Sequence, residues 1–567
     1  MKRRNFIERL VLSGGIITSQ KLDFSSQKYP EGLQNQSLTY LSADVIVVGA
    51  GLGGIAASLS LLRNGLKVLL TEETDWIGGQ LTQQGVPADE HSGIETHGAP
   101  KSYRELRDLI RNYYKQNYPL TDIARKNAFL NPGNGTVSRL CHEPKAAISV
   151  LNGMLAPYIS NGQLTLLLEH KVTSADADER QVNSVSVEDR KNGCVKILKA
   201  PYFIDATELG DLLPLTGTDY IVGTESRSQT GELHAPEVAD PQSQQAFTTC
   251  FALDYIEGED FVDKPENYSF WEKYVPAIEP AWSGRLLDLS YSDPRTLKPK
   301  ELGFDPTGAP TGSKLNLWNY RRIIDKTNFE PGFFKGDISL INWPQNDYML
   351  GNLVDVSDRE FQQHVEQSKQ LGLSLLYWLQ TEAPRPDGGK GWRGLRLRKD
   401  IMGSDDGFAK HPYVRESRRI KAEFTILEEH VGRENRALVA PQKSLDRAAN
   451  FFDSVGVGYY HIDLHPTSKV NYVDFPSLKF QIPLGALLPV KKDNLLPANK
   501  NIGTTHITNG CYRLHPVEWS IGEAVGLLLV YAKDRNVLPR DVRRDVNLLN
   551  QFQKFLHAEG VETEWKE

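Results

Sequence analysis

The segment from Asp44 to Glu72 restricts the fold more than any other stretch of this chain. It opens Asp44-Val-Ile-Val-Val-Gly-Ala-Gly-Leu-Gly-Gly54. The unbroken apolar run Val45 to Val48 is short, so it reads as a strand covered on both faces. Glycines follow in the pattern Gly49-x-Gly51-x-x-Gly54, with Gly53 between the last two. Gly49 permits a tight turn, Gly51 lets backbone approach a pyrophosphate, and Gly54 lets a helix lie close to the strand. Ile55 to Asn64 reads as that helix, ended by Gly65. Lys67 to Thr71 reads as a second strand, closed by Glu72, whose carboxylate suits a ribose diol and disfavours a 2′-phosphate. Strand, glycines, helix, strand and acid in this order, within about thirty residues, are the context the fingerprint requires. This is a dinucleotide site.

Length and charge narrow what surrounds it. At a prior of ~150 residues per domain, 567 residues predict two to four units and at least two cores. With 65 Lys+Arg against 72 Asp+Glu the net charge is −7, and no basic tract offers a footprint for nucleic acid. The 4 cysteines, Cys141, Cys194, Cys250 and Cys511, form no CxxC pair, which argues against a disulfide scaffold, a zinc or iron–sulfur protein, and disulfide reduction. At the N-terminus, Lys2-Arg-Arg-Asn-Phe-Ile7 resembles a twin-arginine export signal, and the uncharged stretch Leu10 to Ser19 suits its apolar region. No Ala-x-Ala site follows and Glu8 interrupts the run, so an exported and a cytoplasmic protein both stay open. No other stretch is apolar enough to span a membrane.

The loop after the second strand, Asp75-Trp-Ile-Gly-Gly-Gln-Leu-Thr82, has paired glycines, Gly78 and Gly79, followed by Gln80. Tyr202-Phe-Ile-Asp-Ala-Thr-Glu-Leu-Gly-Asp211 resembles the strand-ending Ala-Thr-Gly motif of the glutathione-reductase superfamily, with Glu208 and Leu209 set before the glycine. Asn494 to His506, Arg513 to Pro516 and Trp519 to Gly526 resemble the same superfamily's C-terminal return. With Gln80 to His91, Tyr413 to Ile420 and Asp453 to His465, the chain is similar to a large group of bacterial FAD-dependent oxidoreductase domain proteins, from about Ala43 to Ala532. The resemblance implies an α/β fold: an FAD-binding doubly wound Rossmann-type domain (β-α-β plus a β-meander) with a second, mixed α+β substrate domain. It implies non-covalent FAD held by Gly49, Gly51, Gly53, Gly54, Glu72, Gly78, Gly79, Gln80, Thr207 and Gly522, with His506 and Arg513 at the isoalloxazine edge. A positive group there would stabilise the anionic reduced flavin. No local pattern demands covalent attachment through His91, His97 or Cys141.

The expected organisation is an N-terminal segment, 1–40, then a first FAD-domain part, 41–240, and a substrate domain, 241–480. The C-terminal return, 481–535, and a helical tail, 536–567, complete it. Val182, Val185, Val187, Val195 and Ile197 alternate as in a β-meander over Val172 to Pro201. Helices are expected over Asp358–Glu382 and Val414–Glu429, and Gly388–Lys399 reads as a solvated basic loop rather than a substrate lid. Gly456-x-Gly458 lacks a third glycine and a helix, so it reads as a loop or bulge. With no second fingerprint, electrons come from the substrate and leave to dioxygen or a separate acceptor.

Oxidation at CH–OH or CH–NH of a polar small molecule needs a base, commonly histidine. His461 and His465 are the base candidates, each with the alternative of a hydrogen-bonded structural role. Their flanks read as extended, which separates them by ~13 Å and argues against a metal pair. Arg415 and Arg418 would share a helical face and could clamp a substrate carboxylate, pair with Glu416 or Glu423, or face solvent. Two other functions stay open: a flavin monooxygenase using external NAD(P)H, and a non-catalytic binding module on the same fold. The sequence leaves the oligomeric state unspecified.

Overall fold

A computed structural model describes residues 39–440 and 446–565. The export-like segment therefore lies outside the described residues. Thr39–Glu567 packs as one unit by Cα proximity.

Val45–Val48 forms a fully buried strand, β2, preceded by a short edge strand β1 at Thr39–Ser42. Leu52–Arg63 is helix α1 and Val68–Glu72 is β3. With β4 (Leu164–Leu168), β8 (Tyr202–Asp205) and the late strand β17 (Leu495–Pro497), they build a five-stranded sheet in the order β17-β8-β2-β3-β4. All four pairings are parallel. Such a sheet needs cover on both faces, which explains why β2, β3 and β17 carry no exposed residue. The meander is present as β5 (His170–Ala177), β6 (Val182–Asp189) and β7 (Val195–Lys199), antiparallel in sequence, with β1 added parallel to β7. Val182, Val185, Val187 and Ile197 are buried as their alternation predicts.

The middle of the chain carries a second sheet in the order β10-β11-β9-β12, formed by Arg322–Ile324, Ile338–Ile341, Phe251–Tyr255 and Leu395–Leu397. Helix α2, Asp358–Thr381, packs beside it and begins at a Ser357–Glu360 capping box. Its core is aromatic, with Phe251, Trp318, Trp343 and Tyr348 buried. Further on, β13 (Ser454–Gly458) pairs with β16 (Phe480–Pro483), and β14 (Ile462–Leu464) with β15 (Val473–Phe475). The register shifts between Ser454 and Gly456, as a bulge does. The tail folds as helices Pro539–Arg544 and Val546–Glu559.

Helix α3, His515–Arg535, is buried from His515 to Ala532 and lies against α1. Their backbones touch. A Cβ on Gly522 would fall 2.0 Å from the Gly53 carbonyl oxygen, and one on Gly526 would fall 2.7 Å from that of Ala57. Glycine is required at the crossing because no side chain fits between two helices at this separation.

Two expectations fail, the second in part. Val414–Glu429 is not a helix: it holds a two-residue strand at Arg419–Ile420 and one helical turn at Glu428–Val431. Arg415, Glu416, Ser417, Arg418 and Arg419 are all buried, which a helix with one solvent face cannot arrange. An extended segment can, by sending successive side chains to opposite sides. Gly388–Lys399 is a solvated loop only at its start, where Gly388 to Lys390 are exposed. Leu395–Leu397 pairs with β9, Trp392 is buried, and Arg396 and Arg398 both pair with the buried Asp254.

Candidate functional site

The glycine fingerprint sits where the strands end. Gly49, Gly51, Glu72, Thr207, Glu208 and His411 line a cleft at the C-terminal ends of β2, β3 and β8, the place where open parallel sheets bind ligands. Gly49 has φ +97°, and a Cβ on it would strike the Ala206 carbonyl, so the tight turn is available to glycine alone. Glu72 Oε2 accepts from the Ala50 N–H at 3.0 Å and Oε1 from the Thr74 N–H at 2.9 Å. Burial pushes its carboxyl up to about 7 and Glu73 adds to the shift, against those hydrogen bonds. The paired glycines are left-handed, and the Gly78 N–H donates to the Ala50 carbonyl at 2.7 Å, clamping their loop onto the fingerprint. Thr207 Oγ1 donates to Asp205 at 2.7 Å, which shapes the turn after β8.

His411 carries charge into this cleft, and sequence reasoning missed it. Burial opposes its protonation, but the Glu73 carboxylate 3.2 Å away raises it to about 9. Only its place two residues ahead of the Tyr413–Ile420 stretch hinted at a role.

Beyond Gly51 the lining is acidic. A Cβ on Gly51 would lie 3.1 Å from Glu208 Oε1 and 3.2 Å from Glu518 Oε1. Glu518 accepts from the Gly53 N–H, at the start of α1, at 3.2 Å and from Gln80 Nε2. A carboxylate therefore occupies the helix N-terminus, where anions are favoured. Burial pushes Glu518 up to about 7, with Glu208 adding to the rise and Lys500 opposing it. Lys500 Nζ pairs with Glu208 Oε2 at 2.5 Å. Glu208 was visible as the departure from Ala-Thr-Gly, whereas Glu518 and Lys500 carried no signal of their own.

Arg513 links this region to the histidines. Its carbonyl accepts from Gln80 Nε2 at 3.0 Å, Nη1 donates to Tyr413 Oη at 3.0 Å, and Nη2 reaches Asp463 Oδ2 at 3.0 Å. The same Asp463 oxygen is 3.7 Å from Nε2 of His465, whose Nδ1 is 2.6 Å from Asp347 Oδ2. A polar chain, buried as far as Arg513 and partly buried beyond it, thus runs from the paired-glycine loop to His465.

The other expected residues are placed differently. His461 Nδ1 lies 2.9 Å from Asp474; burial disfavours its charge, but Asp474 and Asp463 outweigh that and raise its pKa. His506 packs its Nδ1 against Glu416 at 2.9 Å. Arg415 is buried and pairs with Asp347 at 3.0 Å, and Arg418 pairs with Asp355 and Asp211. The two arginines share no helical face, and each already holds a carboxylate of this chain. Gly53 and Gly522 serve the α1–α3 contact. His461, Asp463 and Asp474 bring three ligand-capable atoms within 4.8 Å, but Arg513 and Arg295 already pair with the two carboxylates. Cys141 is buried, and burial pushes its thiol up to about 12.

The family model described as "FAD dependent oxidoreductase" matches residues 44–556. The chain belongs to this family. As a member of the FAD dependent oxidoreductases it is a flavoenzyme, and FAD is its cofactor. The residues present fit that group: Gln80 Oε1 and Arg513 Nε are buried without a hydrogen-bond partner, and Gly51 brings no side chain to the cleft at the start of α1, where the ends of Glu208 and Glu518 come nearest it. Gly49, Gly51, Glu72, Thr207 and His411 would hold the nucleotide part, and Gln80 and Arg513 the part beyond it.

Among solved structures, p-nitrophenol 4-monooxygenase PnpA from Pseudomonas putida DLL-E4 is 11% identical, over 93% of this chain and 88% of its own, with a TM-score of 0.33. OxyS anhydrotetracycline hydroxylase from Streptomyces rimosus is 11% identical, over 91% and 66%, with a TM-score of 0.31. L-proline dehydrogenase from P. horikoshii is 16% identical over 34% of this oxidoreductase, which spans 25% of that chain, with a TM-score of 0.17. No curated protein matches. Among the described residues no helix is long and apolar enough to cross a membrane.

Proposed function

We propose that this flavoenzyme dehydrogenates a polar small molecule at a CH–OH or CH–NH carbon, with His465 as the base and electrons passed on to dioxygen or a separate acceptor. Bound FAD supplies a two-electron acceptor for the hydride. The observation that carries the reading is the polar chain from Gln80 through Arg513 and Asp463 to His465. It sets a base at one end of a path whose other end is the cofactor loop. His465 Nδ1 is engaged by Asp347, so Nε2 is the nitrogen left to take a proton from a substrate O–H or N–H. Tyr413 Oη, which accepts from Arg513, has its own hydroxyl hydrogen to offer a polar substrate. The proton would go to His465 Nε2, and the two electrons would leave with the hydride that bound FAD accepts.

Anaerobic spectroscopy tests this. The FAD-loaded enzyme should lose its visible absorbance with an alcohol or amine from a screening panel and keep it with NADPH. Bleaching by NADPH alone would overturn the reading in favour of a monooxygenase.

A further inference from the structure

Asp347 is an ionisable group that no motif marks, and its side chain is wholly buried. It follows a short turn after β11, far along the chain from the histidine that it meets. Burying a carboxylate is expensive unless every lone pair is used. Here the two oxygens are used differently. Oδ1 accepts from Thr248 Oγ1 at 2.6 Å and forms an ion pair with Arg415 Nη2 at 3.0 Å. Oδ2 is kept for His465 Nδ1 at 2.6 Å. Burial works to protonate Asp347, yet Arg415 and His465 outweigh it and hold its pKa below the ordinary carboxylate value.

An ionised carboxylate only accepts, so Nδ1 of His465 carries the hydrogen, and in the neutral imidazole Nε2 carries the lone pair. The backbone is pinned too, since the His465 N–H donates to Gln245 Oε1 at 3.2 Å. Once Nε2 takes a proton, the imidazolium stands between Asp347 on one side and Asp463, 3.7 Å away, on the other. We propose that Asp347, with Arg415 as its counter-ion, is the positioning residue that holds His465 in the Nε2-basic tautomer for proton abstraction. The proposal rests on the reading of His465 as the base. It also gives Arg415 a use: a guanidinium that fixes the charge of Asp347.

Asp347→Asn makes a sharp test because the surroundings dictate how the new carboxamide must lie. Thr248 donates to the Oδ1 position and the Arg415 guanidinium stands beside it, so the carboxamide oxygen stays there and the NH2 faces His465. Nδ1 must then accept, which forces the opposite tautomer. The measurement is 15N NMR of the FAD-loaded enzyme labelled at histidine, with the His465 signals assigned from His465→Gln. Wild type should show protonated Nδ1 and bare Nε2; Asp347→Asn should reverse them with the flavin spectrum unchanged. A wild-type Nε2–H tautomer, or a variant with unaltered tautomer, overturns the proposal. Should the variant fail to fold, the wild-type tautomer alone decides.

Anaerobic flavin reduction by the fastest alcohol or amine of the panel, followed against pH, separates the two layers. His465→Gln and Asp347→Asn should both slow it by about a hundredfold or more, and the wild-type dependence on a basic group should vanish in His465→Gln. Normal reduction in His465→Gln sinks the base. Slow reduction there with normal reduction in Asp347→Asn sinks only the positioning role.

Discussion

Adding one methyl group at Gly51 and, separately, at Gly53 should break two different things, although the residues are near neighbours in the fingerprint. A Cβ on Gly53 would fall 1.6 Å from the Ala498 carbonyl oxygen. That oxygen belongs to backbone tied to the sheet, since the Ala498 N–H donates to Asp205 at 2.8 Å. Reaching even a 3.0 Å separation means moving α1 by about 1.4 Å, and α3 already meets the Gly53 backbone on another side. Overpacking between backbones that cannot yield costs about 3 kcal/mol or more. That is a large part of a stability on the order of 10 kcal/mol. At Gly51 the backbone is ordinary, with φ −64° and ψ −175°, and the new Cβ meets only the far ends of Glu208 and Glu518. The protein without cofactor should lose less than about 1 kcal/mol there. The methyl would, however, take space a pyrophosphate needs, lowering FAD affinity by at least tenfold, or about 1.4 kcal/mol. The assay is FAD absorbance per protein after dialysis, beside the thermal midpoint of the apoprotein. Gly51→Ala should give a near-normal midpoint and little flavin; Gly53→Ala should give a depressed midpoint or insoluble protein. Full flavin in Gly51→Ala, or an unchanged midpoint in Gly53→Ala, would refute the reasoning.

FAD affinity should fall as pH rises through 7, because Glu518, held up to about 7, is neutral beside the pyrophosphate site below that pH and repels it above. Calorimetric titration should show a limit of about tenfold per pH unit for one proton taken up, and Glu518→Gln should flatten the curve. The apoprotein has the same sign: a carboxyl whose folded pKa lies above its unfolded value binds extra protons when folded, so thermal stability should drop between about pH 4.5 and 7 from this group, less so in Glu518→Gln. His411→Gln should weaken FAD binding severalfold, by a factor that changes little between pH 6 and 8, because the imidazole held by Glu73 at about 9 stays charged across that range. Arg415→Met should lower the melting temperature sharply, by about 3–5 kcal/mol of stability, since Asp347 would be left buried without its counter-ion. Soluble Arg415→Met with an unchanged midpoint would contradict that pairing.

The parts of the fold that the sequence disclosed are those whose causes are local. A strand ending in glycines, an alternating valine meander and the helical tract from Asp358 each act within a few residues of themselves. The segment 415–419 shows the opposite case. Arg415 pairs with Asp347, Arg418 with Asp355 and Asp211, and Arg419 with Glu225, so its conformation is decided by residues far away in the chain. Read alone, its charge spacing fits a helix. The same holds at Leu395–Leu397, where Asp254 on β9 turns a basic run into a strand. His465 was legible as a candidate, but its pairing with Asp347 was not, because Asp347 announces nothing at its own position.

These buried charges bear on how the two sheets are joined. Asp89, from the first part of the chain, lies 3.4 Å from Arg321 in the middle. Asp463 in the middle meets Arg513 near the end, and Lys500 near the end meets Glu208 in the first part. Each pair crosses between segments distant in sequence, and each is largely buried. Apolar residues at such positions would be as stable or more so, and the chain has no shortage of them in either core. Folding energy therefore gives no reason for charge to gather here. What the pairs do supply is fixed donors and acceptors: Glu208 beside Gly51, and Arg513 between Gln80 and Asp463. A flavoenzyme needs such groups in place before substrate arrives, since polar groups already oriented by partners need little reorganisation when charge moves. The cost of burying them is borne by the packing of α1 on α3 and by the aromatic core around Trp318 and Trp343. That division explains why the same few residues recur both in the cofactor cleft and along the path to His465.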